Sequence, residues 1–170
     1  NITGRNFPVQ IVYKPILAMW EGERVHSYLE YVVKVIDEII APEGTGDILL
    51  FLPTVQDIIE IVFMLKNKYR DKSAVILPLY GNLRVVDQKR IFKHYAYRKI
   101  VIATNIAETS ITVPGIRFVI DTGLARVMRY EPSIHTSRIP VERISRASAD
   151  QRAGRCGRVS DGICMRLFSE

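Results

Sequence analysis

Gln151-Arg152-Ala153-Gly154-Arg155-Cys156-Gly157-Arg158 sets three arginines at intervals of three, with small residues or glycine in most of the gaps. Each guanidinium is permanently charged and presents a planar fork of donors suited to phosphate oxygens, while glycine lets a backbone approach a ligand closely. A core does not hold three such charges unpaired, so either a ligand or solvent must meet them. Alone, an Arg-Gly-x-Arg is more often a solvated basic turn. A second segment strengthens the case for chemistry. Thr104-Asn105-Ile106-Ala107-Glu108-Thr109-Ser110-Ile111-Thr112 is dense in short hydroxyl and amide side chains. Such groups donate to phosphate oxygens or ribose hydroxyls without reading bases. Their commoner use is in turn and cap hydrogen bonds.

The elements that must position these segments follow from hydrophobic period. Phe7–Tyr13 alternates like a strand, and Val25–Ile40 has helical spacing that stops at the turn-rich run 41–46. Asp47–Leu52 is a short apolar strand, and Thr54 can cap a helix carrying Ile58, Ile61, Val62 and Leu65. Ser73–Leu79 is strand-like, Leu83–Phe92 helical, and Lys99–Ala103 and Arg117–Asp121 are strands. Ala125–Tyr130 and Ile134–Val141 pattern as a hairpin around Glu131-Pro132-Ser133. Ser145 can cap a helix entering the octet, and Gly162–Phe168 is a last strand. Strands alternating with helices of about ten to fifteen residues predict βαβ units and a mainly parallel sheet buried on both faces. Ligands then bind beyond the carboxyl ends of the strands. The loops after Leu52, Tyr80, Ala103 and Asp121 are therefore expected on one rim with the octet.

Composition bounds the partners. The 170 residues suit one core, and 48% hydrophobic with 25% charged residues excludes a disordered tail. No apolar run reaches the ~20 residues of a membrane span. Cys156 and Cys164 make no C-x-x-C pair and do not cluster with His26, His94 and His135, so neither a disulfide nor a metal site is expected. The default is a reducing compartment such as the cytoplasm. The net charge of +6 is uneven: residues 1–97 hold twelve basic and eleven acidic side chains, residues 98–170 twelve and seven. An excess confined to the C-terminal part points to an anionic partner.

Thr104–Thr112 followed some forty residues later by Gln151–Arg158 resembles motifs V and VI of the DEAH-box RNA helicases in superfamily two. Leu49-Leu50-Phe51-Leu52-Pro53 is similar to motif IV, and Leu77-Pro78-Leu79-Tyr80-Gly81 with Gln88–Phe92 to the stretch between motifs IV and V. Arg-Cys-Gly-Arg with Val113-Pro114-Gly115, Asp121-Thr122-Gly123 and Ile163–Leu167 is most similar to the bacterial HrpA-type branch. The resemblance covers essentially the whole chain. It implies an α/β, RecA-like three-layer domain over 1–170, the second of two in the intact helicase, with a strand-separating hairpin near 125–141 between motifs V and VI.

The resemblance also distributes roles. Arg155 and Arg158 correspond to arginine fingers for the γ-phosphate of ATP, and Gln151 to the residue that orients the attacking water. Arg152 assists nearby phosphates or pairs with an acidic residue. Phe92 corresponds to the aromatic that stacks on adenine, its alternative being a core Phe that closes the helix with Ile91. Ser110 corresponds to a γ-phosphate sensor, with Thr112 beside it. Thr104, Asn105 and Gly81 match contacts to the RNA backbone. Arg126, Arg129 and Arg138 on the hairpin can touch phosphates, and Tyr130 can stack on a base. The implied partners are single-stranded RNA or a duplex with an overhang, the first RecA-like domain and C-terminal accessory domains, with no membrane. Mg²⁺ would be held by the first domain, since neither G-x-x-x-x-G-K-[ST] nor the acidic metal motif occurs in this chain. The fragment is therefore not expected to hydrolyse ATP alone.

Two positions depart from the commonest family pattern. Pro114 stands where many members have Asp, and Pro53-Thr54-Val55 where a Gly is frequent. A non-catalytic RNA-binding or partner-docking module accounts equally for the charge asymmetry, but not for Gln151 beside spaced arginines. A DNA-directed motor of the same superfamily shares the arginine logic and fits Asn105–Thr112 poorly.

Overall fold

A computed structural model describes residues 7–16, 28–42, 45–71, 73–131 and 136–170, and gives backbone alone for 129–131 and 136–138. The first strand, β1, is Val9–Tyr13, followed by α1 (Tyr28–Ile40), β2 (Asp47–Phe51), α2 (Val55–Lys68) and β3 (Ala74–Leu79). A short α3 (Val85–Gln88) passes into a 3-10 turn at Lys89–Phe92, then come β4 (Arg98–Ala103), α4 (Ile106–Thr109) and β5 (Ile116–Asp121). Four short strands follow: β6 (Leu124–Arg126), β7 (Arg129–Glu131), β8 (Thr136–Arg138) and β9 (Val141–Arg143). The chain closes with α5 (Arg146–Ala153) and β10 (Gly162–Arg166).

Six strands form one parallel sheet in the order β1-β10-β5-β2-β4-β3. Strand period two sorts their apolar runs onto two faces. Ile48, Leu50, Ile100, Ile102 and Ile120 join Val32, Val35 and Ile36 of α1 and Ile58, Ile61 and Leu65 of α2 in one core. Leu49, Phe51, Val101, Ala103 and Val119 face the other way, onto Ile91, Ala107, Val113, Ala153 and Cys156. The second layer is thus built from the segments singled out for chemistry, and the RecA-like α/β expectation holds.

The caps agree with the sequence. The Thr54 hydroxyl accepts from Asp57 N at 3.0 Å and starts α2, and the Ser145 hydroxyl accepts from Ser148 N at 3.1 Å and starts α5. Leu83–Phe92 is not one helix. Val85 and Val86 are exposed and only Ile91 is fully buried, so the segment lacks the apolar stripe that tertiary packing needs to hold a longer helix.

The hairpin keeps one register from Leu124 opposite Arg143 to Glu131 opposite Thr136, but it is longer than its sequence pattern. Glu131 is still strand, and the return arm runs on to Arg143. Pro132 and Ser133 lie outside the described residues. The ladder breaks at 127–128 and 139–140, where Pro140 has no N–H to give; its carbonyl still accepts from Val127 N at 3.1 Å. Among the described residues no helix is long and apolar enough to cross a membrane.

Candidate nucleotide and nucleic-acid site

Helix α5 ends at Ala153, and the chain leaves through Gly154 and a left-handed Gly157 at φ 75°. The three arginines therefore do not share a helical face. Arg152, still in the helix, is fully buried. Its NH1 donates to Asp121 at 2.7 Å, its Nε to Glu108 at 3.1 Å and its NH2 to Leu124 O at 3.2 Å, while the guanidinium lies 4.8 Å from the Phe51 ring centre. Asp121 also accepts from Gly123 N at 2.8 Å, and Glu108 from the Ser148 hydroxyl. Burial raises the Asp121 carboxyl above its ordinary range, against the opposing pull of Arg152. All three nitrogens of Arg152 have protein acceptors. Of its two expected roles the acid pair is the one that fits, and direct assistance to a phosphate does not fit this burial. Arg152 instead ties α4, the end of β5 and the root of the hairpin to α5.

Arg155 and Arg158 lie beyond the helix and converge on one hydroxyl. Arg155 NH1 reaches Thr112 Oγ1 at 3.5 Å and Arg158 NH1 reaches it at 3.4 Å. Arg155 also donates to Ile111 O at 3.4 Å and to Glu108 O, and Arg158 Nε to Gly154 O at 3.4 Å. Most of these bonds sit at the long limit for N–H···O and are weak. Burial, then the neighbouring Arg158 charge, pulls Arg155 below the usual arginine range. Thr112 is exposed between this pair, and Gln151 on α5 and Ser110 at the end of α4 are exposed as well. Two like charges share a single neutral acceptor, an arrangement that an anion would relieve.

Phe92 is 52% exposed and Ile91 is fully buried, so Ile91 is the core residue and Phe92 is available for stacking. The carbonyls of Ile91 and Pro114 both accept from the Lys99 ammonium, at 2.6 and 3.3 Å, which brings the Phe92 turn to the end of the 104–115 segment.

Thr104 and Asn105 leave the carboxyl end of β4, and Thr104 N donates to Leu79 O at the end of β3, two residues before Gly81. Gly81 is exposed, and an added Cβ there would meet nothing within 4 Å. The fold itself does not require glycine at that position. The rim expectation is met in part. Parallel topology does put the loops after β2, β3, β4 and β5 at one edge, and Arg152 reaches it at Asp121. The octet then runs to the opposite edge, where Gly157 abuts Phe7 and Val9 at the start of β1. Arg126 is exposed on β6, and the backbone register sets Arg129 opposite Arg138 and Tyr130 opposite Ser137.

Residues 30–160 match the family described as the helicase conserved C-terminal domain. The chain belongs to that family. Within it, the chain is a RecA-like domain of the DEAH-box, HrpA type. It is similar to the ATP-dependent RNA helicase HrpA of Escherichia coli, 45% identical over all of this chain and 13% of that protein. The chloroplastic ATP-dependent RNA helicase DEAH12 of Arabidopsis thaliana is 44% identical over 99% of this chain and 10% of its own length. The crystal structure of E. coli DExH-box NTPase HrpB superposes with a TM-score of 0.83 at 36% identity, covering 98% of this chain and 20% of that one. The helicase domain thus spans a small fraction of the proteins it resembles.

Sequence reasoning did not single out Lys99, Glu108 or Asp121 as positioning groups for this helicase domain. The usable signal was a charge inside or at the end of an apolar run: Lys99 opens Ile100–Ala103, and Asp121 closes Val119–Ile120. Buried charges of that kind need a named partner.

Proposed function

We propose that this domain is the second motor domain of an ATP-dependent RNA helicase, closing on ATP held by a first RecA-like domain. The carrying observation is the convergence of Arg155 and Arg158 on Thr112 through long, weak bonds, with Arg152 anchored behind them. A γ-phosphate offers three charged oxygens in place of one hydroxyl, so both guanidiniums turn to it. Fixed positive charge at the transferred phosphoryl group contributes about 10³ to 10⁵ in rate. Gln151 orients the attacking water, Ser110 reports on the phosphate and Phe92 stacks on the base. Mg²⁺ would be held by ligands of the first domain and would help to neutralise the phosphates.

RNA as the track follows from the relatives' activity and from the chemistry of the rim. Thr104, Asn105 and Gly81 present a hydroxyl, an amide and an unobstructed main chain to a sugar-phosphate backbone, contacts that are indifferent to sequence. Arg126, Arg129, Tyr130 and Arg138 extend that surface along the hairpin, which separates strands. Closing on ATP and reopening after hydrolysis shifts the rim relative to the first domain. Thr104 and Thr112 stand at the two ends of one short segment, so motion at the phosphate is felt at the RNA.

The test is Arg158→Ala in the full-length protein. RNA-stimulated ATP turnover falls by about 10³ while RNA affinity in the absence of nucleotide stays within about twofold. Full turnover in that variant would overturn the assignment.

A further inference from the structure

Lys99 is the second residue of β4, and only 4% of it is exposed. Its ammonium donates to Ile91 O at 2.6 Å and Pro114 O at 3.3 Å, with Asp47 Oδ2 at 3.6 Å. Asp47 is held in turn, since its Oδ1 accepts from Lys99 N at 2.8 Å and its own N–H donates to Gly115 O at 3.1 Å. A buried ammonium needs acceptors and a counter-charge, and here it finds two backbone carbonyls and one carboxylate ion-pair partner from three separate segments. Two of those acceptors bracket the nucleotide site. Ile91 directly precedes Phe92, and Pro114 comes two residues after Thr112.

The geometry points to Lys99 as the positioning residue that fixes the span between a base subsite at Phe92 and a phosphate subsite at Thr112, Arg155 and Arg158. This rests on the nucleotide reading given above. A nucleoside triphosphate spans only a bounded range from base to γ-phosphate, and stacking assists binding most when both subsites are held at one separation within it. The 3-10 turn at Lys89–Phe92 has few other ties: Phe92 is exposed, Ile91 is its one fully buried side chain, and the Tyr95 hydroxyl donates to Arg90 O at 3.0 Å from just downstream, which does not link the turn to the 104–115 segment. The Lys99 ammonium is the polar tie that locks the turn to the segment carrying Thr112. Without it the aromatic stays present but loses its register with the phosphates. Neither Phe92 nor Lys99 touches the reacting phosphoryl group, so the effect falls on nucleotide binding and not on the chemical step.

Steady-state ATPase of the full-length protein, with Phe92→Ala, Lys99→Met and the double variant, tests this. Phe92→Ala raises KM for ATP by about tenfold, the size of one lost stack. Lys99→Met raises KM by about fivefold with kcat within about twofold. The double variant matches Phe92→Ala alone, because a misplaced ring and a missing ring lose the same contact. Thermal melting establishes that each variant is folded. Should Lys99→Met fail to fold, Lys99→Gln, which keeps an amide donor, carries the test with a rise of about twofold to threefold. An unchanged KM in the folded lysine variant, beside a raised KM in Phe92→Ala, overturns the role of Lys99 and leaves the base subsite standing. So do effects that simply multiply in the double variant. An unchanged KM in Phe92→Ala removes the base subsite itself, and the role of Lys99 with it.

Discussion

Arg152 and Arg155 stand three residues apart in the same motif, yet one is sealed in the core with two carboxylates and the other has only neutral oxygens, Glu108 O and two at the long limit, beside a second arginine. The helix terminus between them makes the difference. Within α5 the side chain at 152 is directed onto the end of β5, where Asp121 waits; past Gly154 the backbone carries 155 and 158 out along the surface. Placement, not residue type, divides the motif into an anchor and the pair proposed to meet the γ-phosphate. The anchor is expected to matter for stability and the pair for turnover.

Arg152→Ala is the strongest way to break the comparison. Removing one partner of a buried ion pair costs about 3–5 kcal/mol, because Asp121 and Glu108 are then left as uncompensated charges. Chemical denaturation should register that loss, while Arg158→Ala should leave stability nearly unchanged. If Arg152→Ala melts like the parent, the anchor is not an anchor.

A pair of glycines sharpens the same contrast at smaller scale. Gly157→Ala must place a Cβ 2.6 Å from Val9 Cγ2 and 2.8 Å from Phe7 O at a positive φ, so stability drops by about 2 kcal/mol. Gly81→Ala meets open space, so stability stays within about 0.5 kcal/mol and the loss appears in RNA affinity. Equal melting of the two variants would contradict this division.

The smallest effect concerns the thiols. Burial pushes Cys156 up to about 11, and burial with the nearby Asp121 and Cys156 pushes Cys164 up to about 12. Little thiolate exists at pH 8, so a soluble alkylating reagent should label neither thiol in the native protein and both after denaturation. Rapid native labelling of Cys156 would mean that the octet opens.

The layers were legible because their determinants are local. Helices α1 and α2 advertise their buried stripes, Thr54 and Ser145 announce their caps, and the β-branched runs 99–103 and 116–121 leave no alternative to strands. The convergence of motifs V and VI was legible for a different reason, since spaced arginines and short hydroxyl residues are side chains suited to the same anion. The burial of Arg152 was not, because its acids lie 31 and 44 positions away and only the folded sheet brings them in. Ile91 and Phe92 are adjacent and both apolar, so no pattern could say which of them faces the core. The charge of Lys99 beside an apolar run calls for a partner, but its ties to Ile91 and Pro114 were invisible because backbone carbonyls leave no signature in a sequence.

The shared hydroxyl of Thr112 works as a placeholder. It keeps two guanidiniums aimed at one point through bonds at the long limit, while Arg155 stays tied to Glu108 O and its Nε is buried without a partner among the described residues. On the proposed reading, a stronger acceptor entering at that point would take both guanidiniums by a short handover and not by a search through rotamers.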